Sequence, residues 1–134
     1  MQALLAAIAA GVLADLFITA MLVMATVRMV AGFWPAFSRA LLCSITLFIL
    51  TLAVSSALQP IVGVGNGWAP TSGIMLVLNA VVVNGLVRRP DGTAIGWIKA
   101  GLAALIQMTL EIVLLMLFVI ALGISLWEAI QHLH

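Results

Sequence analysis

Two acidic residues of this sequence stand in the middle of long apolar stretches. Asp15 lies in AAGVLADLFITA and Glu111 in LIQMTLEIVLL, and neither stretch contains Lys, Arg or His. Acidic residues at membrane depth commonly face the interior of a helix bundle or a water-filled cavity, where they mark the path of a proton or an ion. A protonated acid can equally act as a packing contact by donating a hydrogen bond to a neighbouring helix. The sequence leaves both roles open.

The composition indicates that these stretches belong to an integral membrane protein. Of the 134 residues, 66% are hydrophobic and 7% are charged, and the mean hydropathy is +1.35. Soluble domains carry about 25% charged residues, so charges this sparse cannot cover a water-facing surface. The length allows one domain, residues 1–134.

Four segments are apolar over the length of about 20 helical residues that a bilayer core requires. They run approximately over residues 3–27, 40–58, 71–87 and 97–127. Their apolar runs are continuous rather than alternating, which favours helices over a transmembrane barrel. The first segment lacks the basic start of a cleavable signal peptide and is expected to stay as a span. The sequence therefore predicts an all-α fold, a bundle of four transmembrane helices with short loops.

The basic residues predict the orientation of this bundle. They occur around the first and third connections and are absent from the second, and they are Arg28, Arg39, Arg88, Arg89 and Lys99. Since loops rich in Lys and Arg stay in the cytoplasm, both termini are expected on the non-cytoplasmic side. We expect the membrane to be a prokaryotic plasma (inner) membrane.

The second and third connections predict different local structures. RRPDGT is typical of a tight turn, with Pro90 presetting φ and Gly92 free to take a positive φ. Arg88 and Arg89, which precede that turn, are candidate contacts for anionic lipid headgroups, although they also serve simply to fix the orientation. Residues 59–72 are rich in glycine and uncharged. They are expected to form either a simple loop or a re-entrant segment.

Each predicted span places a polar side chain near the middle of the bilayer. These residues are Asp15, Thr51, Asn79 and Glu111, and Gln107 lies one helical turn before Glu111. We expect them to converge on one buried polar cluster. Because the spans supply no cationic side chain at this depth, at least one acid is expected to be protonated, unless a bound cation, water or a partner subunit supplies the charge.

Helical spacing predicts which way Asp15 points. Steps of four residues join Asp15 to a stripe of small residues, namely Ala3, Ala7, Gly11 and Thr19. Such stripes let two helix backbones approach closely in lipid. We therefore expect Asp15 to face another helix, either within this chain or in a neighbouring copy.

The sequence contains none of the motifs that would indicate a familiar enzyme. There is no Walker motif, no G-x-S-x-G elbow and no H-E-x-x-H, and the single Cys43 matches no metal spacing. We expect a protein that is not an enzyme and has no cofactor or metal, with lipids and membrane proteins as partners and no nucleic acid. The small size favours a non-catalytic accessory or assembly subunit of a larger membrane complex. The alternative is a homo-oligomeric transporter or channel, coupled to protons or cations through the two carboxylates.

Overall fold

The structure, a computed structural model, describes residues 1–62 and 68–131, with side chains for 1–62 and 69–125. It contains four helices: α1 Gln2–Ala31, α2 Phe37–Val62, α3 Trp68–Leu86 and α4 Trp97–Gln131. All four are long and apolar enough to cross a membrane. The predicted all-α bundle of four transmembrane helices is confirmed.

The second connection is shorter than the sequence predicts. Helix α2 continues past Pro60 to Val62, and α3 already begins at Trp68. Pro60 lies inside the last turn of α2, although proline has no N–H to donate and its ring crowds the carbonyl four residues earlier. The choice between a simple loop and a re-entrant segment now concerns residues 63–67, which lie outside the described residues.

The four helices form a ring in which α1 packs on α2, α2 on α3, α3 on α4, and α4 closes the ring against α1. Short connections make consecutive helices antiparallel. The α1–α2 and α3–α4 connections therefore lie at the same end of the bundle, which we call the basic end because all five Lys and Arg residues flank these two connections.

The α1–α2 connection begins at a glycine that ends the first helix. Gly32 adopts a left-handed conformation with φ 83°, and its N–H donates to the carbonyl of Arg28 at 3.1 Å. The Arg28 guanidinium in turn donates to the Gly32 carbonyl. These bonds satisfy groups that a helix C-terminus would otherwise leave unpaired.

The α3–α4 connection contains the tight turn that RRPDGT predicts. The Gly92 N–H donates to the Arg89 carbonyl at 2.9 Å, and the Arg89 N–H donates to the Thr93 carbonyl at 2.9 Å. Gly92 has the expected positive φ of 84°. The Asp91 Oδ1 accepts the Thr93 hydroxyl at 2.7 Å and the Thr93 N–H at 2.9 Å. These two bonds from Thr93 lower the pKa of Asp91.

Two side chains attach this turn to the bundle. The Arg89 Nη2 donates to the Ile95 carbonyl at 3.1 Å, and the Asn84 Oδ1 accepts the Gly96 N–H at 3.0 Å. Of the two arginines expected to contact lipid headgroups, Arg88 is exposed, whereas Arg89 is partly buried and holds the connection in place.

The buried core lies in the half of the bundle next to the basic end. Among the described side chains, no residue is buried before Ala20 in α1, after Leu47 in α2, before Asn79 in α3 or after Gln107 in α4. The core is rich in small residues, which let the helix backbones approach closely in lipid; these are Ala20, Ala40, Cys43, Ala100, Ala103 and Ala104. The bundle is therefore closed near its basic end and open in its other half.

Candidate functional site

A cavity of about 1080 Å³ begins where the core ends, and side chains from all four helices line it. Four of its lining residues are buried, and we call them the floor: Ser44, Leu47, Asn79 and Gln107. Ligand pockets typically measure about 300–1,000 Å³. The cavity is thus large enough for a small organic molecule.

All five residues of the predicted polar cluster line this one cavity. They are Asp15 on α1, Thr51 on α2, Asn79 on α3, and Gln107 and Glu111 on α4. Asn79 and Gln107 lie in the floor, whereas the two acids and Thr51 have exposed side chains on the walls. The tertiary structure therefore brings these polar groups together around an open space rather than in a sealed interface.

Glu111 has a hydrogen-bond partner on its own helix. The Gln107 Nε2 donates to the Glu111 Oε1 at 3.0 Å, one turn along α4. Asp15, on the adjacent α1, lies close enough to Glu111 for the two carboxyl groups to interact electrostatically. No Lys, Arg or His is found among the described side chains that line the cavity. The two acids therefore face the cavity without a counter-ion among these described side chains.

The floor contains side-chain oxygen atoms that lack partners among the described residues. Ser44 Oγ, Asn79 Oδ1 and Gln107 Oε1 are buried and have no hydrogen-bond partner. The exposed fractions of these three residues are 1%, 8% and 1%. A buried polar group left unsatisfied costs about 1–3 kcal/mol. A bound molecule that donates hydrogen bonds removes that cost.

Thr51 contributes to the cavity in a more limited way. Its hydroxyl donates to the Leu47 carbonyl of the preceding turn at 2.8 Å and also lies 3.8 Å from the Met75 Sδ. Because the hydroxyl proton of Thr51 is donated within α2, this side chain can only accept a hydrogen bond from a ligand. It therefore adds one acceptor to the wall of the cavity.

One part of the small-residue stripe of α1 lines the cavity and the other part does not. Gly11, Asp15 and Thr19 line it, whereas Ala3 and Ala7 do not and are exposed. A Cβ placed on Gly11 would meet no heavy atom within 4 Å. Ala3 and Ala7 are thus not buried by any described side chain of this chain, and contact of the stripe with a neighbouring copy stays a prediction.

The apolar walls of the cavity could not be identified from the sequence. Phe48, Met75, Met108 and Phe118 line it together with several aliphatic residues. No sequence signal separates these side chains from the many similar ones that face lipid, because both groups are apolar and lie on long helices. Only the arrangement of the four helices distinguishes them.

Comparison with known proteins finds no family, curated protein or solved structure that matches this chain. The cavity therefore provides the basis for a functional proposal.

Proposed function

We propose that this protein is a proton- or cation-coupled membrane transporter whose binding site is the cavity between its four helices. The observation that supports this most directly is the pairing, among the described side chains, of two carboxyl groups without a counter-ion with three buried oxygens without a donor. Both features are complementary to a positively charged ligand that carries hydrogen-bond donors.

The two acids provide a means of coupling. A carboxyl group can exist with or without its proton, and a positive charge beside it favours the ionised form. When a cation binds beside Asp15 and Glu111, it stabilises their ionised form, and a proton leaves. Binding of the cation and release of the proton are then linked, which is the elementary requirement for exchange across a membrane.

The closed half of the bundle provides the barrier such a protein needs. Below the floor, α1 contributes Ala20 and Val23 and α4 contributes Ala103 and Ala104 to the buried core. Among the described residues, the buried core lies on the basic-end side of the cavity, so we expect a ligand to enter from the open half. With the basic end in the cytoplasm, as the positive-inside rule predicts, that access is from the non-cytoplasmic side. Transport then requires the core at the basic end to separate.

Proton release on cation binding tests the proposal. Purified protein in weakly buffered detergent solution is mixed with ammonium, sodium or potassium chloride while a pH-sensitive dye is monitored. The wild type is expected to release protons with at least one of these ions. Asp15→Asn and Glu111→Gln keep the side-chain shapes but cannot ionise, so each should reduce the release, and the double variant should abolish it.

Thr109→Val is the matched control. Thr109 is an exposed α4 residue that does not line the cavity, and its hydroxyl bonds only to the Leu105 carbonyl of its own helix. This variant should release as many protons as the wild type. Release that is unchanged in the Asp15→Asn, Glu111→Gln double variant would show that the cavity acids are not the coupling groups.

The second candidate function is an accessory or assembly subunit of a larger membrane complex. The exposed start of α1 favours it, because Ala3, Ala7 and Gly11 offer a small-residue surface that no described side chain covers. Native mass spectrometry after mild extraction from the source membrane, expected to be a prokaryotic plasma membrane, tests it. A mass that includes other polypeptides supports the subunit role, and a multiple of 14.1 kDa supports a homo-oligomer.

Ala7→Leu sharpens that second test. Residue 7 is exposed and does not line the cavity, so the variant leaves the binding site intact while preventing close approach of another helix. Loss of the partner mass in this variant would locate the partner on the stripe. Retention of the full complex would place the partner elsewhere and remove this argument for the subunit role.

A further inference from the structure

We propose that the ligand of the cavity is an amphiphilic organic cation, a primary ammonium group attached to an apolar body. This inference rests on the proposed function and specifies its ligand. It is carried by the contrast between the floor of the cavity, which presents unpartnered oxygens, and the walls, which are largely apolar.

The floor matches the head group of such a molecule. Ser44 Oγ, Asn79 Oδ1 and Gln107 Oε1 come from three different helices and are the three buried side-chain oxygens without a partner in the described part of the chain. A primary ammonium group has three N–H donors and no acceptor. Its charge also complements Asp15 and Glu111 on the walls above.

The walls match an apolar body. Phe48 and Phe118 provide aromatic surface, and Met75 and Met108 provide flexible side chains that adapt to irregular shapes. An inorganic ion with about six waters occupies only about 200 Å³, at about 30 Å³ per water. In the cavity of about 1080 Å³, water in contact with the apolar walls would fill the remaining space around such an ion. A hydrocarbon body removes that water from the apolar surface, which is favourable.

The set of ligating atoms disfavours a divalent metal ion as the cargo. Ca²⁺ takes about six to eight oxygen ligands, with several carboxylates among them. The described residues contain no group of three or more His, Cys, Asp or Glu side chains that could hold a metal ion. Neutral amide and hydroxyl oxygens beside two acids fit a singly charged donor better.

A chain-length series tests the inference in the wild type. Butylammonium, hexylammonium and hexyltrimethylammonium are titrated by isothermal calorimetry into protein in lipid nanodiscs, with empty nanodiscs as the blank for partitioning. Affinity should rise about fourfold for each methylene group that the walls bury. Hexanol, which has no charge, should bind far more weakly than hexylammonium.

Floor variants test the head-group contacts. Asn79→Leu and Ser44→Ala each remove one floor acceptor with little change in side-chain volume, so each should weaken hexylammonium binding about tenfold. Neither should weaken hexyltrimethylammonium binding, because that head group has no N–H to donate. Thr46→Val is the control, since Thr46 does not line the cavity and its hydroxyl bonds to the Leu42 carbonyl. A thermal melt of each variant confirms that it is folded.

The outcomes separate this inference from the proposed function. Affinity that does not depend on chain length, or floor variants that weaken both head groups equally, would overturn the organic-cation inference. If ammonium or sodium still releases protons through Asp15 and Glu111, the proposed transporter function stands with a small cation as its cargo. If no cation of either kind releases protons, both proposals fall.

Discussion

The Gln107 side chain donates from its Nε2 to the Glu111 Oε1 at 3.0 Å, while its own Oε1 is buried and has no partner. Because the amide is planar, holding the donor on Glu111 also fixes the direction of the acceptor. Glu111 is thereby connected to the floor of the cavity through one side chain. A replacement of Glu111 that loses this bond therefore removes the contact that orients the Gln107 oxygen in the floor.

This pairing predicts different effects for two replacements of Glu111. In Glu111→Gln the new amide oxygen still accepts from Gln107, so the free energy of unfolding should change by less than about 1 kcal/mol, while proton release on cation binding falls. In Glu111→Leu the Gln107 amide loses its acceptor, which should destabilise the protein by about 1–3 kcal/mol. Unfolding by denaturing detergent measures both variants. Equal stability in the two would show that the 3.0 Å bond contributes nothing.

Asp15 should behave differently, because no hydrogen bond to its carboxylate is present among the described residues. Asp15→Leu removes no intramolecular contact and replaces an acid whose insertion costs about 3 kcal/mol by a residue that favours the membrane. The stability of the isolated chain should therefore be unchanged or higher, while cation binding weakens. Detergent unfolding and calorimetry with hexylammonium report the two properties. A clear loss of stability would reveal a contact of Asp15 that this conformation does not contain.

The turn between α3 and α4 predicts a measurable titration. Hydrogen bonds from Thr93 hold the pKa of Asp91 below its usual value, so the folded state favours the ionised acid. The resulting stabilisation is present above the ordinary Asp pKa of about 3.9 and is lost as the pH falls through the lower, folded value. Thr93→Val removes the hydroxyl donor and should raise the pKa of Asp91 towards its usual value. Thr93→Ser is the control that keeps the donor, and NMR titration of the Asp91 carboxyl follows all three proteins.

Two glycines should respond oppositely to alanine. Gly92 has φ 84°, a conformation that costs a residue with a Cβ about 1–2 kcal/mol, so Gly92→Ala should destabilise the turn. A Cβ placed on Gly123 in α4 would meet no heavy atom within 4 Å, so Gly123→Ala should stabilise by about 0.5–1 kcal/mol through its backbone entropy. Detergent unfolding compares the two. Destabilisation by both would indicate that Gly123 contacts something outside this chain.

The sequence by itself determined the class of the protein and the number of its helices. A helix that crosses the hydrocarbon core needs a continuous run of apolar residues, and all of its backbone N–H and C=O groups must be hydrogen-bonded. Such runs can be identified directly from the residue types. The depth of Asp15, Asn79 and Glu111 followed from the same runs. The end of α2 and the start of α3 were less accurate, because the glycine-rich residues 59–72 were interpreted as a connection, whereas both helices extend into them.

The sequence did not predict which half of the bundle is closed and which is open, and the packing of the helices shows this. The position of the core depends on how closely small residues such as Ala20, Ala40 and Ala103 pack against neighbouring helices. The distance between two helices cannot be predicted from the sequence of either helix alone. The unpartnered oxygens of Ser44, Asn79 and Gln107 arise for the same reason. Whether a polar group finds a partner depends on the neighbouring helices, which are distant in sequence and are brought together only by folding.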